Sequence, residues 1–282
     1  MNEKSARLGV DIGGTFTDLV LEISGNSYST KVLTTYLAPE SAIIDGMMQV
    51  CSKAGISPSD ITQIIHGTTL ATNALIERRG AKTALITTEG FRDVIEMRTE
   101  SRFEQYDLNL CLPEPLLPRQ MRYTVPGRID ANGNELLPLL RQDVEKVVKK
   151  IKVAGYESIA IGLIHSYAND IHEKIVRDVV SELIPDVMIS ISSEVSPQMR
   201  EYERFNTVVA NAYIKPLMKS YLDRLKGKLK EVGADCNIFL MHSGGGIISI
   251  ESAANFPVRL VESGPAGGAV FAANIAEKFN LN

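Results

Sequence analysis

Four polar side chains at the end of one apolar run, Asp11, Thr15, Thr17 and Asp18, are the residues of this sequence best placed to do chemistry. They lie in Leu8-Gly-Val-Asp-Ile-Gly-Gly-Thr-Phe-Thr-Asp18, where an apolar strand ends in Asp11, Gly13-Gly14 turns the chain, and a second strand leaves through Phe16–Leu21. Neither glycine has a Cβ, so the backbone can come close to a ligand. Successive N–H groups in such a turn form a concave anion site, and Thr15 and Thr17 add hydroxyl donors. Asp11 and Asp18 would repel a phosphate, so a divalent cation is expected between them and the anion. The stretch therefore reads as a nucleotide-phosphate loop of the hairpin kind. It is not a Walker A loop, which needs a Lys, nor a Rossmann fingerprint, which needs a helix straight after the glycines. A bare Gly-Gly hairpin would explain the glycines. It would not require two acids and two threonines at one strand end.

Other polar stretches follow apolar runs in the same way. Ile61 to Ile65 leads into His66-Gly-Thr-Thr-Leu-Ala-Thr-Asn73, so His66, Gly67, Thr68, Thr69 and Asn73 are candidates to face a nucleotide or substrate. Capping of the next helix by the threonines explains part of that loop equally well. His165 follows the apolar run Ser158–Ile164 and is a further candidate. Ser243, Gly244 and Gly245 follow the strand expected over Asn237–Met241. Gly264, Gly267 and Gly268, around Pro265, precede a helix expected over Ala269–Lys278, whose bared N-terminal amides would suit an anion.

The elements that must position these residues are legible from periodicity. Ser27–Tyr36 continues the first hairpin as a third strand. Pro39 opens a helix that carries Ile43, Ile44, Met47, Met48 and Cys51 on one face and stops at Gly55. Helices are expected over Ala74–Arg79, Glu89–Arg98, Gln142–Val153 and Ile171–Leu183, the last with Asp170 and Glu173 as a capping box. Strands are expected over Lys82–Thr87, Arg122–Ile129 and Val187–Ser192, with a turn at Asn132-Gly133. Ser101–Gln120 is irregular and proline-bearing, as binding loops often are. A long helix from Glu201 to about Glu231 must kink or divide at Pro216. This is an α/β layout with a mixed sheet, with a lobe boundary near Val195, giving regions 1–195 and 196–282.

Composition sets outer bounds. The 282 residues carry a net charge of −4 with acids and bases interspersed, which argues against nucleic acid or an anionic membrane as partner. Cys51, Cys111 and Cys236 form no CxxC, so neither a disulfide framework nor a zinc site is suggested and a cytoplasmic setting fits. No signal-peptide core and no membrane-length apolar run is present.

Taken together, Val10–Asp18, His66–Leu75, Gly90–Asp93, His165–Asn169, Ser193–Pro197, Glu203-Arg204 with Asn211–Tyr213, Ser243–Gly246 and Ser263–Gly268 resemble the hydantoinase A / 5-oxoprolinase family, end to end and in the same order. The resemblance implies an actin-like, sugar-kinase-like ATPase with two RNase H-like lobes. It implies ATP and Mg2+, with Asp11, Gly13, Gly14, Thr15 and Thr17 as the first phosphate loop and Asp11 holding magnesium through water. Asp18 is carried as a second metal candidate; no catalytic base is assigned. The implied activity is ATP-dependent ring opening of a cyclic amide or imide such as hydantoin or 5-oxoproline, with a hydantoinase B-type partner subunit. The alternatives are an activating subunit of an acetone- or acetophenone-type carboxylase, or a non-catalytic nucleotide-binding module. Family members carry a second Asp-x-Gly-Gly-Thr-type loop soon after the Ser-Gly-Pro-Ala-Gly-Gly helix, and the sequence stops at Asn282 ahead of one. The expectation is a fragment of a longer protein, inactive by itself. The segment Met97–Tyr106 matches no single-substrate version of the family.

Overall fold

Alternating apolar and polar residues from Ala6 to Leu33 fold as an antiparallel meander of β1 (Ala6–Ile12), β2 (Phe16–Ile23) and β3 (Asn26–Leu33) in a computed structural model that describes residues 5–35, 37–99, 104 and 106–280. Helix α1 (Pro39–Ala54) begins on its proline and ends where Gly55 turns left-handed at φ 69°. Then come β4 (Ile61–Thr68), α2 (Leu70–Ile76), β5 (Thr83–Thr88), α3 (Val94–Met97), β6 (Arg122–Val125), β7 (Arg128–Ile129) and β8 (Glu135–Leu137). Helix α4 (Arg141–Ala154), β9 (Ser158–Gly162), α5 (Ile171–Leu183), β10 (Met188–Ile191) and α6 (Ser192–Val195) precede the long α7 (Glu201–Glu231). The chain continues through β11 (Asn237–Met241), β12 (Ile247–Ser249), α8 (Ile250–Asn255) and α9 (Ser263–Phe279).

These elements form two compact units, one comprising Met1–Glu77 and Leu217–Asn282, the other Arg78–Pro216. The boundary expected at 195 falls inside the second unit, because β11 returns from late in the chain to pair in parallel with β4. The first unit holds a sheet of order β12-β11-β4-β1-β2-β3. One face of this sheet, carrying Leu8, Val10, Ile12, Leu19 and Leu21, is buried with Ile43, Met47 and Val50 of α1. The packing is close: a Cβ on Gly46 would come within 2.1 Å of Leu19. The opposite face is met by α9, which packs on β4 and β11.

The second unit holds a wholly parallel sheet, β10-β9-β5-β6. Its β9 is buried along its full length, as an uninterrupted apolar run should be. Val144, Val148 and Ile151 of α4 and Val176, Val179 and Val180 of α5 form its core with Ala84, Ile86, Ile159 and Ile161.

Several expectations need correction. Helix α2 starts four residues earlier than expected, at Leu70, whose N–H donates to the Thr68 hydroxyl. The short helix expected at Glu89–Arg98 narrows to Val94–Met97. Arg122–Ile129 is two strands, separated where Gly127 adopts φ 112°. No capping box forms at Asp170. Glu173 is instead buried, accepting from the N–H groups of Leu163 and Ser193 at 2.9 Å and from the Ser192 hydroxyl at 2.6 Å. The glycine runs also differ. Ser243–Gly246 joins two antiparallel strands, and Gly264, Gly267 and Gly268 lie within α9. Tyr36 of the expected third strand, and residues 100–103 and 105 of the irregular stretch, lie outside the described residues.

Candidate functional site

The β1–β2 register places Asp11 directly opposite Asp18 and Gly9 opposite Val20. Side chains of a strand alternate between faces, so these four residues share the face away from α1. The turn between the strands is fastened from β3. Thr34 donates its N–H to the Thr15 carbonyl at 2.9 Å and its hydroxyl to the Gly13 carbonyl at 3.0 Å. The Gly13 N–H donates to the Phe16 carbonyl at 3.0 Å, and the buried Thr17 hydroxyl lies 3.0 Å from that of Thr34. Gly13 and Thr17, expected as anion donors, therefore spend those groups inside the hairpin. Gly14 and Thr15 form the open tip, where a Cβ on Gly14 would meet nothing within 4 Å.

Strand β4 supplies the next part. Gly67 is level with Asp11 in the parallel register, and a Cβ on it would sit 2.9 Å from Asp11 Oδ1. His66, one residue earlier, points the other way. It is fully buried, with Nε2 2.7 Å from the Tyr221 hydroxyl, and burial pushes its pKa down to about 4. Thr68, Thr69 and Asn73 serve local structure: the Thr68 hydroxyl accepts the Leu70 N–H at 3.2 Å, and Asn73 Nδ2 donates to the Thr69 hydroxyl at 3.2 Å.

Helix α9 closes the arrangement. Glu262 enters it at φ 62° and donates its N–H to the Thr72 hydroxyl at 3.1 Å, which fixes where the helix begins. A cavity of about 520 Å³ lies between the sheet and this helix. Asp11, Asp18, Val20 and Gly67 line its sheet side; Gly264, Gly267 and Gly268 line its helix side, with Phe271 farther along. The structure thus brings together six sequence candidates: Asp11, Asp18, Gly67, Gly264, Gly267 and Gly268. It does not bring in Ser243, Gly244 and Gly245, which form the β11–β12 turn, where the Gly244 N–H donates to His242 Nδ1 at 2.8 Å. His165 belongs to the other unit, where it adopts φ 54° with the Tyr167 hydroxyl 3.4 Å from Nδ1.

Val20, Ile65, Met241 and Phe271 are among the lining residues that were not sequence candidates. Counting two residues on from Asp18 finds Val20. No local signal marks Met241 or Phe271. Lys31 was missed too, although the hairpin register pairs it with Asp18; its Nζ lies 2.9 Å from Asp18 Oδ1.

Burial, and then the charge of Asp18, raise the pKa of the Asp11 carboxyl. Among the described residues no three His, Cys, Asp or Glu side chains are grouped to hold a metal unaided. The donor set nevertheless fits magnesium, which is commonly held by one or two carboxylates plus water and substrate phosphates. The absence of a Cβ on Gly67 leaves space beside Asp11 Oδ1, which such an atom would approach to 2.9 Å.

The hydantoinase/oxoprolinase N-terminal region matches residues 7–184, and the hydantoinase/oxoprolinase region that follows it matches residues 204–281. The chain belongs to the hydantoinase/oxoprolinase family. Within this family it is 42% identical to an uncharacterised protein of Methanocaldococcus jannaschii, over 98% of this chain and 41% of that one. It is 32% identical to the caprolactamase alpha subunit of Pseudomonas jessenii, over its full length and 42% of the relative. The crystal structure of that ATP-dependent caprolactamase superposes with a TM-score of 0.85 over 97% of this chain and 40% of that one. A nucleotide-free acetone carboxylase superposes with a TM-score of 0.87 at 26% identity, over 98% and 41%. The chain thus spans about two-fifths of the length of these relatives. The superpositions agree with the actin-like ATPase type of fold. No helix among the described residues is long and apolar enough to cross a membrane.

Proposed function

We propose that this chain is the N-terminal portion of the ATP-binding subunit of an enzyme that opens a cyclic amide or imide. The observation that carries the proposal is the cavity in which Asp11 and Asp18 face the glycine-lined first turns of α9. An amide carbonyl is a poor electrophile, and moving the terminal phosphate of ATP onto its oxygen would open the carbon to water. Magnesium, when bound, would offset charge on the phosphates. Asp11 would hold it, with Asp18, whose charge Lys31 partly offsets, as the second ligand. Gly264, Gly267 and Gly268 let phosphates reach the positive end of the α9 dipole without a side chain in the way. Gly14 and Thr15 would cover the phosphates from the hairpin tip.

Regions 1–195 and 196–282 would be the family's two regions, meeting between the matched segments. The reaction would take place in the cytoplasm, with a hydantoinase B-type subunit as partner. The likeness to acetone carboxylase supports a second reading, in which the ATP-binding subunit activates a ketone for carboxylation. The test uses the complete protein with its partner subunit. ATP turnover should rise at least tenfold over background with a hydantoin, 5-oxoproline or a larger lactam, each product assayed by ring opening. Turnover needing bicarbonate and a ketone would favour the second reading. ATP binding without turnover on any substrate would indicate a nucleotide-sensing module.

A further inference from the structure

Gly67 needs an explanation that its backbone does not give. It lies in β4 between two parallel neighbours, and no left-handed torsion demands glycine there. Glycine inside a strand lowers stability and often marks a close approach by another group. Here the group is identifiable, because a Cβ would stand 2.9 Å from Asp11 Oδ1, inside contact distance, and 3.8 Å from the Val10 carbonyl, at ordinary contact. The strand has little freedom to yield. His66 is in register with Val10 on one side and Leu240 on the other, and its ring is tied beneath the sheet to Tyr221 at 2.7 Å. The Asp11 carboxylate, at the end of a side chain, is the part that must move.

We infer that Gly67 is a positioning residue: the missing Cβ sets where the Asp11 carboxylate points, and with it the geometry offered to a divalent cation. This rests on the reading of the cavity as a Mg-ATP site. A displaced carboxylate matters most to magnesium, which demands near-ideal octahedral geometry, and least to calcium, whose coordination is flexible. Misplacing a ligand by its neighbour costs metal affinity by about 10–100-fold in characterised sites.

The experiment measures ATP binding to the complete protein with Mg2+, with Ca2+ and with no metal, for wild type, Gly67→Ala, Asp11→Asn and the double variant. Gly67→Ala should weaken Mg-ATP binding by about tenfold, and Ca-ATP and metal-free binding by less than about threefold. In the Asp11→Asn background it should add nothing, since the group it displaces is no longer a carboxylate. Equal weakening with both metals and without metal would overturn the inference, as would an undiminished effect in the double variant. Failure of Gly67→Ala to fold would overturn it as well, because the Cβ would then displace the strand and not the carboxylate. A wild type whose ATP binding ignores metal would instead defeat the reading of the cavity, and the inference with it.

Discussion

Ionised Asp11 opposes folding at neutral pH, because burial and the facing Asp18 raise its carboxyl above the ordinary value of 3.8. A carboxyl raised in the folded state favours folding fully only below its unfolded pKa, and the benefit is lost as pH rises through the folded value. Asp11→Asn should therefore raise the melting temperature at pH 7, with the gain shrinking as the pH falls towards 4. It should also weaken metal-dependent ATP binding. Thermal scans at several pH values check the first part; a gain over wild type no larger at pH 7 than at pH 4 would mean that Asp11 is not held against Asp18. These two acids and Gly67 were legible from residue type and strand position. Thr17 and His66 were not, and the reason is parity. Each is adjacent in sequence to a cavity residue, Asp18 and Gly67, and in a strand adjacency means opposite faces. Reading polar residues as one cluster merged two sides of a sheet.

Helix α9 shows what separates a legible element from a misread one. In sequence its glycines read as a loop ahead of a helix, because glycine is a poor helix former, at about 1 kcal/mol against alanine. The structure keeps them helical from Ser263 onward. Their smallness clears the cavity wall: a Cβ on Gly268 would meet nothing within 4 Å, and one on Gly267 would only touch Met241 at 3.5 Å. Gly268→Ala should therefore stabilise the folded protein, by roughly 0.5–1 kcal/mol in urea titrations. The same methyl group would stand in the space assigned to phosphate and weaken ATP binding several-fold. A variant that gained stability and bound ATP as tightly as wild type would remove α9 from the site. Hairpins and amphipathic helices were readable because their determinants are local, as the β1–β2 turn, α1 and α5 show. The pairing of β4 with β11 was not, because it joins segments more than 150 residues apart and no short-range pattern records it.

At the scale of the molecule, two sheets compete on paper for the nucleotide. The parallel sheet of the second unit has the layout in which ligands usually bind beyond the carboxyl ends of the strands. The amides around Glu173 there are already used. Glu173 takes the N–H groups of Leu163 and Ser193 and the Ser192 hydroxyl, while Arg204 donates to the Leu163 and Gln198 carbonyls at 3.0 and 2.9 Å. An internal carboxylate fills the place an anionic ligand would need, and displacing it would leave a buried charge unpaired, at a cost of about 3–5 kcal/mol. The first unit has the converse arrangement, with an open cavity between a carboxylate pair and a glycine-lined helix. Hydrogen exchange with and without Mg-ATP distinguishes the two. Added protection is expected over residues 9–20, 65–70 and 262–268, which carry the hairpin, the Gly67 strand end and the start of α9. Exchange over 162–166 and 190–195 should not change, because the Leu163 and Ser193 amides are bonded to Glu173, that of Ile164 to the Thr88 hydroxyl and that of Ser166 to the Leu163 carbonyl. Protection confined to the second set would place the nucleotide beside Glu173 and remove the role assigned to Asp11.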